Sequence, residues 1–477
     1  MAWGRTVAVA VIVGVPRTVT LAAPVAPEQP RVVHYAMAVT IAPSTRHLTG
    51  TATMRIVNTT KRTVRRLPFL LYRLLSVEAV ASAQGTPLLY QQRIVSMAGE
   101  PEWQVNQAVI TLSRPLVPGD TTNIRVTYAG SVFGYPEVMA YTHDQVSEDY
   151  TLLRPDVIAY PILADPDPST FLGYDRRFDY ELQVTVPRGM IVASGGAVGE
   201  RTLSDSMETF RFASRGLTWR VDVAAARFTV VAGAGGDPVV YALTTDSARA
   251  ATVLKEIERV RAFYAERFGA SPKARAFTVI EIPEGWGSQA SDFYILLAAA
   301  AFRDTGSVGQ IYHEVGHAWN AAVKPDVQRT RWFDEAFASY FEALALRQFQ
   351  GISAFQRRMT AYREHFRRAV QGDARNGTTP IADYGREELG DNSYTKGAWS
   401  LYVLNELIGD DAFDRVMRQF LQNFASEPAG FKDFEAVATR VSGRDIGPFF
   451  RDWIYGAESS ELLVGPATVS DMVQRYR

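Results

Sequence analysis

The sequence predicts a multidomain α+β chain, a β-rich N-terminal part followed by an α-rich part, and three observations lead there. The chain has 477 residues, 47% of them apolar, which is more than one hydrophobic core holds and enough to bury at least two. From about residue 32 to 230 the apolar positions recur mostly every second residue, the period of half-buried strands. After "GAGGDP" the period changes to that of helices.

Taken in order, the first thirty residues combine Arg5, an apolar run from Val7 to Val15 and small residues around Ala22. That is the pattern of an export signal, so residues 1–29 are expected to be a leader and the mature protein exported, periplasmic or secreted. No other run reaches the roughly 18 apolar residues of a membrane span, so none is expected in the mature chain. The segments "TATMRIVN", "AVITL", "NIRVTYAG" and "YELQVTVP" alternate and are separated by turn signals such as Pro118-Gly119. They suggest a β-sandwich or a large curved sheet over residues 30–234. Between Gln145 and Thr170 a Pro- and Asp-rich connection is too long for a hairpin and is read as a loop reaching a neighbouring site.

Residues 235–463 form the second expected domain, with 464–477 as a tail. Asp246 to Phe268 sets Val253, Ile257, Val260, Tyr264 and Phe268 on one helical face, and Gly269 is a natural stop. A strand is expected from Ala276 to Ile282. Helices are expected from Ser307 to Ala322, Phe333 to Phe349, Ala354 to Val370, Tyr394 to Ile408, Ala412 to Phe424 and Phe434 to Val441. The basic helix "FQRRMTAYREHFRRAV" reads as a solvated face, since apolar residues are interleaved.

Lys and Arg number 50 against 51 Asp and Glu, so nothing global points to nucleic acid or an anionic membrane. There is no cysteine, which excludes disulfide scaffolds, thiolate metal sites and cysteine nucleophiles. His, Asp and Glu remain as protein metal ligands. Two of the six histidines lie four residues apart in "IYHEVGHAWN". On a helix that spacing puts both side chains on one face with Cβ atoms about 5–6 Å apart, so His313 and His317 reach one ion. Zn–N bonds of about 2.0–2.1 Å suit it. Glu314, about 100° further round, is placed to take a proton from a metal-bound water rather than to bind the ion.

Catalytic zinc sites keep three protein ligands and an open position, so a third carboxylate is needed. "WFDEAFASY" offers Glu335, with 17 residues between it and His317, enough for a turn through Lys324-Pro325-Asp326 and an antiparallel return. In isolation Glu335 is equally a first-turn acid on a helix dipole. Standing alone, Tyr394 in "NSYTKGAWSLYVL" reads as a helix-start tyrosine packing in the core, although a phenol aimed at developing negative charge is what a zinc hydrolase wants opposite its metal.

"HEVGHAWN" followed by "WFDEAFASY" resembles the aminopeptidase N family of zinc metallopeptidases, gluzincins with a thermolysin-like catalytic domain. The interval before the last glutamate is one residue shorter than the family's, and Asp334 stands where the family has Asn. The resemblance implies one Zn²⁺ per chain held by His313, His317 and Glu335, Glu314 as general base, and Tyr394, in the family's Y-x-K-G context, as oxyanion donor. It implies a saddle-shaped antiparallel N-terminal β domain, on "LTGTATMRIVN", "LPFLLYRLLSVEAV" and "FDYELQVTVPRGMIVASGG". It implies a short form without the family's C-terminal helical-repeat domain. Where the family carries G-x-M-E-N, this chain has "EIPEGWGSQAS". Aligning E-N-W-G on E-G-W-G makes Glu284 the substrate-amine anchor, whereas an offset of one residue makes it a solvated loop acid. The implied partner is a peptide cut at its N-terminus. The alternatives are an endopeptidase or amide hydrolase of the same fold, or a non-catalytic peptide-binding relative.

Overall fold

In a strand, alternation sends every second side chain to one face, and the long N-terminal strands bury that face. Strand Arg31–Ala42 buries Tyr35, Met37, Val39 and Ile41, and His47–Val57 buries Leu48, Ala52, Met54 and Ile56. The computed structural model describes residues 29–171, 176–271, 273, 277–425 and 427–477. The export pattern lies outside them, apart from its last residue. No described helix is long and apolar enough to cross a membrane.

Seven strands form the first sheet, in the order Ala197–Leu203, Met207–Ala213, Asp179–Pro187, Arg31–Ala42, His47–Val57, Thr121–Gly130 and Leu75–Ser82. Neighbours are antiparallel except Arg31–Ala42 with Asp179–Pro187, which run parallel with Tyr35 opposite Tyr180. A four-stranded sheet, Leu89–Met97, Glu100–Leu116, Val64–Tyr72 and Ile162–Leu163, shares one apolar core with it. A three-stranded sheet, Ile191–Ala193, Val223–Ala226 and Tyr150–Leu153, packs Tyr150, Leu152 and Ala224 against Phe228, Ile280 and Tyr294 of the next sheet.

That next sheet has five strands, in the order Phe228–Ala232, Val239–Leu243, Thr278–Ile282, Tyr294–Ala298 and the short edge strand Gln289–Ala290. Phe228–Ala232 pairs antiparallel with Val239–Leu243, so this sheet draws its first strand from before residue 234. Seven main helices follow or interleave: α1 Ser247–Phe268, α2 Val308–Gly316, α3 Phe337–Gln350, α4 Ile352–Gly372, α5 Lys396–Ile408, α6 Asp410–Asn423 and α7 Phe431–Ser442. α1 buries the five residues of the expected face. It stops at Gly269, whose φ of 88° suits glycine and whose N–H closes on the Ala265 carbonyl.

Three expectations are corrected. The helix expected from Ser307 to Ala322 ends at Gly316, with one tight turn over His317–Trp319 and Asn320 extended. The reason is tertiary. Ser271 Oγ donates to the Ala318 carbonyl, and residues 322–324 exchange backbone bonds with Ala429, Ala429 N–H to Ala322 O and Lys324 N–H to Ala429 O, both 2.9 Å. The helix expected from Phe333 begins as a single wide π turn, Trp332–Ala336, before α3. On α4 the arginines are not all solvated: Arg363 and Arg367 donate to the carbonyls of Leu462, Leu463, Val464 and Gly465, capping the C-terminal end of helix Glu458–Val464.

Candidate metal centre

The α2 helix carries His313, the tight turn that continues it opens on His317, and the helix is packed on both sides. Val308, Ile311, Tyr312 and Val315 are buried, and Tyr264 of α1 donates its hydroxyl to the Tyr312 carbonyl at 2.9 Å. Gly316, between the histidines, lets α3 approach: a Cβ there would stand 3.2 Å from the Ala338 Cα. The wide turn Trp332–Ala336 then brings two consecutive acids to the histidines. Its N–H groups of Asp334 and Glu335 both close on the Arg331 carbonyl, at 3.3 and 2.7 Å.

The result is a cluster in which ligand atoms of His313, His317 and Glu335 all lie within 4.8 Å of one another. Glu335 Oε2 is 3.2 Å from His313 Nε2 and 3.5 Å from His317 Nε2. The imidazole rings stand at 84°, centroids 4.9 Å apart. Two neutral imidazoles and one carboxylate at this spacing are the donor set of a catalytic zinc site, so the residues fit that ion. His317 Nδ1 lies 2.6 Å from Asp334 Oδ1, which also accepts from Asn320 Nδ2 at 2.9 Å. That contact makes Nδ1 the protonated nitrogen and leaves Nε2 facing Glu335.

The electrostatics follow from crowding of charge. Burial alone would lower His317, but Asp334 and Glu335 outweigh it and push the imidazole up to about 10. Burial would raise Glu335, yet Arg331 and His317 hold its carboxyl down at about 2. Burial raises Glu314 to about 6 against the pull of His313 and His317. A cation is what this arrangement of carboxylates favours.

Tyr394 closes the site. It ends the turn Gly390–Tyr394 just before α5, its ring stacked 5.7 Å from His313 at 14°. Three contacts lock that segment to the Glu335 turn. Ser393 Oγ donates to the Thr330 carbonyl at 2.6 Å, Trp332 Nε1 donates to Ser400 Oγ at 2.9 Å, and a Cβ on Gly397 would meet Ala336 Cβ at 2.8 Å. Burial and Glu335 raise the Tyr394 phenol far above its ordinary range, so it is a proton donor at neutral pH.

Glu284 is not part of this cluster. It is exposed on the turn that starts at Pro283, and its carboxylate accepts the Ala300 N–H at 2.7 Å. The strand beyond that turn is held from the β-rich part by groups that sequence reasoning missed. Arg154, fully buried and paired with buried Asp144, donates to the Trp286 carbonyl at 3.3 Å and to Gln289 Oε1 at 3.1 Å. Gln289 Nε2 donates in turn to Asp156 Oδ1 at 3.0 Å, and Asp156 is bound by Arg220. The Pro- and Asp-rich connection supplies Arg154 and Asp156. Its composition marked it as a segment reaching elsewhere, but nothing in it marked those two residues.

The structure thus brings His313, His317, Glu335 and Tyr394 together, the arrangement that the gluzincin resemblance implies. Residues 286–453, within the α-rich part, match the peptidase family M1 domain. It is similar to "Probable aminopeptidase 1" of Sulfurisphaera tokodaii, 24% identical over 333 residues, 62% of this chain and 40% of that protein. It is also similar to "Leucyl aminopeptidase" of Saccharolobus solfataricus, 28% identical over 185 residues, 36% of this chain and 23% of that one. The chain thus spans 40% or less of the length of these two relatives. Among solved structures, a mutant M1 zinc metallopeptidase from Deinococcus radiodurans bound to a Tyr-Ser-Ala substrate superposes with a TM-score of 0.62 at 18% identity. That match covers 92% of this chain and 95% of the other. Yeast LTA4 hydrolase superposes with a TM-score of 0.67 at 12% identity, covering 90% of this chain and 68% of its own. These likenesses show the fold.

Proposed function

We propose that the chain is a zinc-dependent aminopeptidase that binds one Zn²⁺ through His313, His317 and Glu335 and hydrolyses N-terminal peptide bonds. The convergence of those three side chains, with Glu314 on the same helix, is the observation that carries the reading. Zinc, when bound, supplies a Lewis acid that polarises a carbonyl and acidifies water. The chain supplies the rest. Asp334 and Arg331 hold the ligand side chains in orientation. Glu314, raised to about 6, accepts the proton of the attacking water and returns it to the leaving amine nitrogen. Tyr394 donates its hydroxyl to the carbonyl oxygen as negative charge develops there. A peptide backbone lies along the exposed rim of the edge strand Gln289–Ala290, whose outer N–H and C=O groups are the natural partners for an extended chain.

One observation favours a second reading. The acid that the family resemblance assigns to the substrate amine, Glu284, is engaged with Ala300. A site without an amine anchor acts on internal bonds as readily as on terminal ones. Assaying one peptide with a free and with an acetylated N-terminus separates the two. An aminopeptidase cuts only the free form, and equal cutting establishes the endopeptidase. Export is proposed from the N-terminal pattern and is checked by fractionating cells that express the full chain.

A further inference from the structure

Arg331 stands out in the cleft for two reasons. Its φ is 56°, in the left-handed region that an L-residue adopts at a cost glycine avoids. Its guanidinium also touches two parts of the site at once. The same Nη2 atom donates to Glu335 Oε1 and to the Tyr394 hydroxyl oxygen, the latter at 3.1 Å, while Nη1 donates to exposed Asp391 at 3.0 Å. The guanidinium carbon lies 5.2 Å from the centroid of the Tyr394 ring.

Hydrogen-bond polarity gives these contacts a meaning. A guanidinium has donors and no acceptor, so in the pair with Tyr394 the phenol oxygen must accept. The hydroxyl proton of Tyr394 therefore points away from Arg331 and toward the Glu335 carboxylate, with which the phenol is hydrogen-bonded. At Glu335 the same logic separates the two oxygens. Oε1 is taken by Arg331, and Oε2 is the oxygen nearest both His313 Nε2 and His317 Nε2. The Arg331 carbonyl also receives the Glu335 N–H, so backbone and side chain of one residue together fix where that carboxylate stands. The ordinary alternative is a surface ion pair of little consequence. It does not account for a strained backbone at that residue or for one nitrogen joining the third ligand to the phenol.

We propose that Arg331 is a positioning residue that fixes the polarity of the Tyr394 hydroxyl and assigns the two Glu335 oxygens separate duties, so that oxyanion donor and metal ligand are set as a unit. This rests on the hydrolase reading above. Arg331 acts through Tyr394, and its effect is largest where negative charge has developed on the carbonyl oxygen.

The test compares the zinc-loaded wild type with Arg331→Gly, Arg331→Lys, Tyr394→Phe and the Arg331→Gly/Tyr394→Phe double variant. Glycine suits φ of 56° and protects folding. The probe is a phosphonate dipeptide analogue with a tetrahedral anionic centre, titrated by calorimetry, with free leucine as a product-like control. Arg331→Gly should weaken phosphonate binding at least about tenfold while leucine binding stays within about twofold. The loss should vanish in the Tyr394→Phe background. Added guanidinium ion, but not sodium chloride of equal ionic strength, should restore part of it. Arg331→Lys, which keeps charge without the planar fork, should fall between. A phosphonate affinity unchanged in Arg331→Gly, or the same loss with and without Tyr394, overturns the inference while the wild type still binds zinc and phosphonate. A wild type that binds neither overturns the reading of the site beneath it.

Discussion

Asp334 Oδ1 lies 2.6 Å from His317 Nδ1, and this contact decides which nitrogen of the imidazole faces the metal position. Asn320 fixes the same oxygen from the other side. Asp334→Ala removes the acceptor and should weaken zinc binding by about 10–100-fold in competition with a chelator, the usual cost of losing such a partner. Asp334→Asn keeps an acceptor oxygen and should stay within about threefold. Equal losses in the two variants would show that charge, not ring orientation, is what Asp334 supplies.

In the proposed mechanism Glu314 sets the acid limit of activity. Burial raises its carboxyl to about 6 against two neighbouring histidines, and a divalent cation adds a further downward pull. A base works deprotonated, so kcat/KM should rise with pH through a midpoint at or below about pH 6 and level off above it. A pH profile on one peptide checks this. An acid limb centred well above pH 6 would assign the limiting ionisation elsewhere.

Gly397 is the spacer that lets α5 meet the Glu335 turn. Its absent Cβ would stand 2.8 Å from Ala336 Cβ and 3.2 Å from Trp332. Gly397→Val should destabilise by about 1–3 kcal/mol through overpacking, and should lower kcat more than stability alone explains because Tyr394 moves with the segment. Denaturant melts with parallel rate measurements separate the two effects.

Arg154 is buried with Asp144 and reaches across to the edge strand. Arg154→Met leaves that carboxylate buried and unpaired, which should cost about 3–5 kcal/mol. Gln289→Leu breaks the link but strands no charge. It should cost less stability and raise KM for peptides, since the strand loses its anchor on Asp156. An unchanged KM would separate the edge strand from substrate binding.

Much of the site was legible in the sequence because its parts are local. His313 and His317 share a helix face by spacing alone, and Glu335 and Tyr394 follow in short motifs next to apolar runs that form α3 and α5. The strands with clean alternation, such as His47–Val57, were legible for the same reason. What the sequence hid depends on distant partners. The α2 helix stops early because Ser271 and Ala429 take its backbone groups. The π turn at Glu335 has no periodic signature, since it is one turn long. Arg154 and Asp156 read as loop charges, because their partners lie about 130 residues further on. Glu284 sits in the altered loop, and only the Ala300 contact shows what it does in the fold.

The central claim is that Glu314 serves as general base beside a zinc held by His313, His317 and Glu335. Zinc content and peptide turnover of wild type and Glu314→Gln, measured together, test it most directly. The account predicts equal zinc in both, hydrolysis by the wild type, and a loss of at least about 10²–10⁴-fold in the variant. Undiminished hydrolysis by zinc-loaded Glu314→Gln would contradict it.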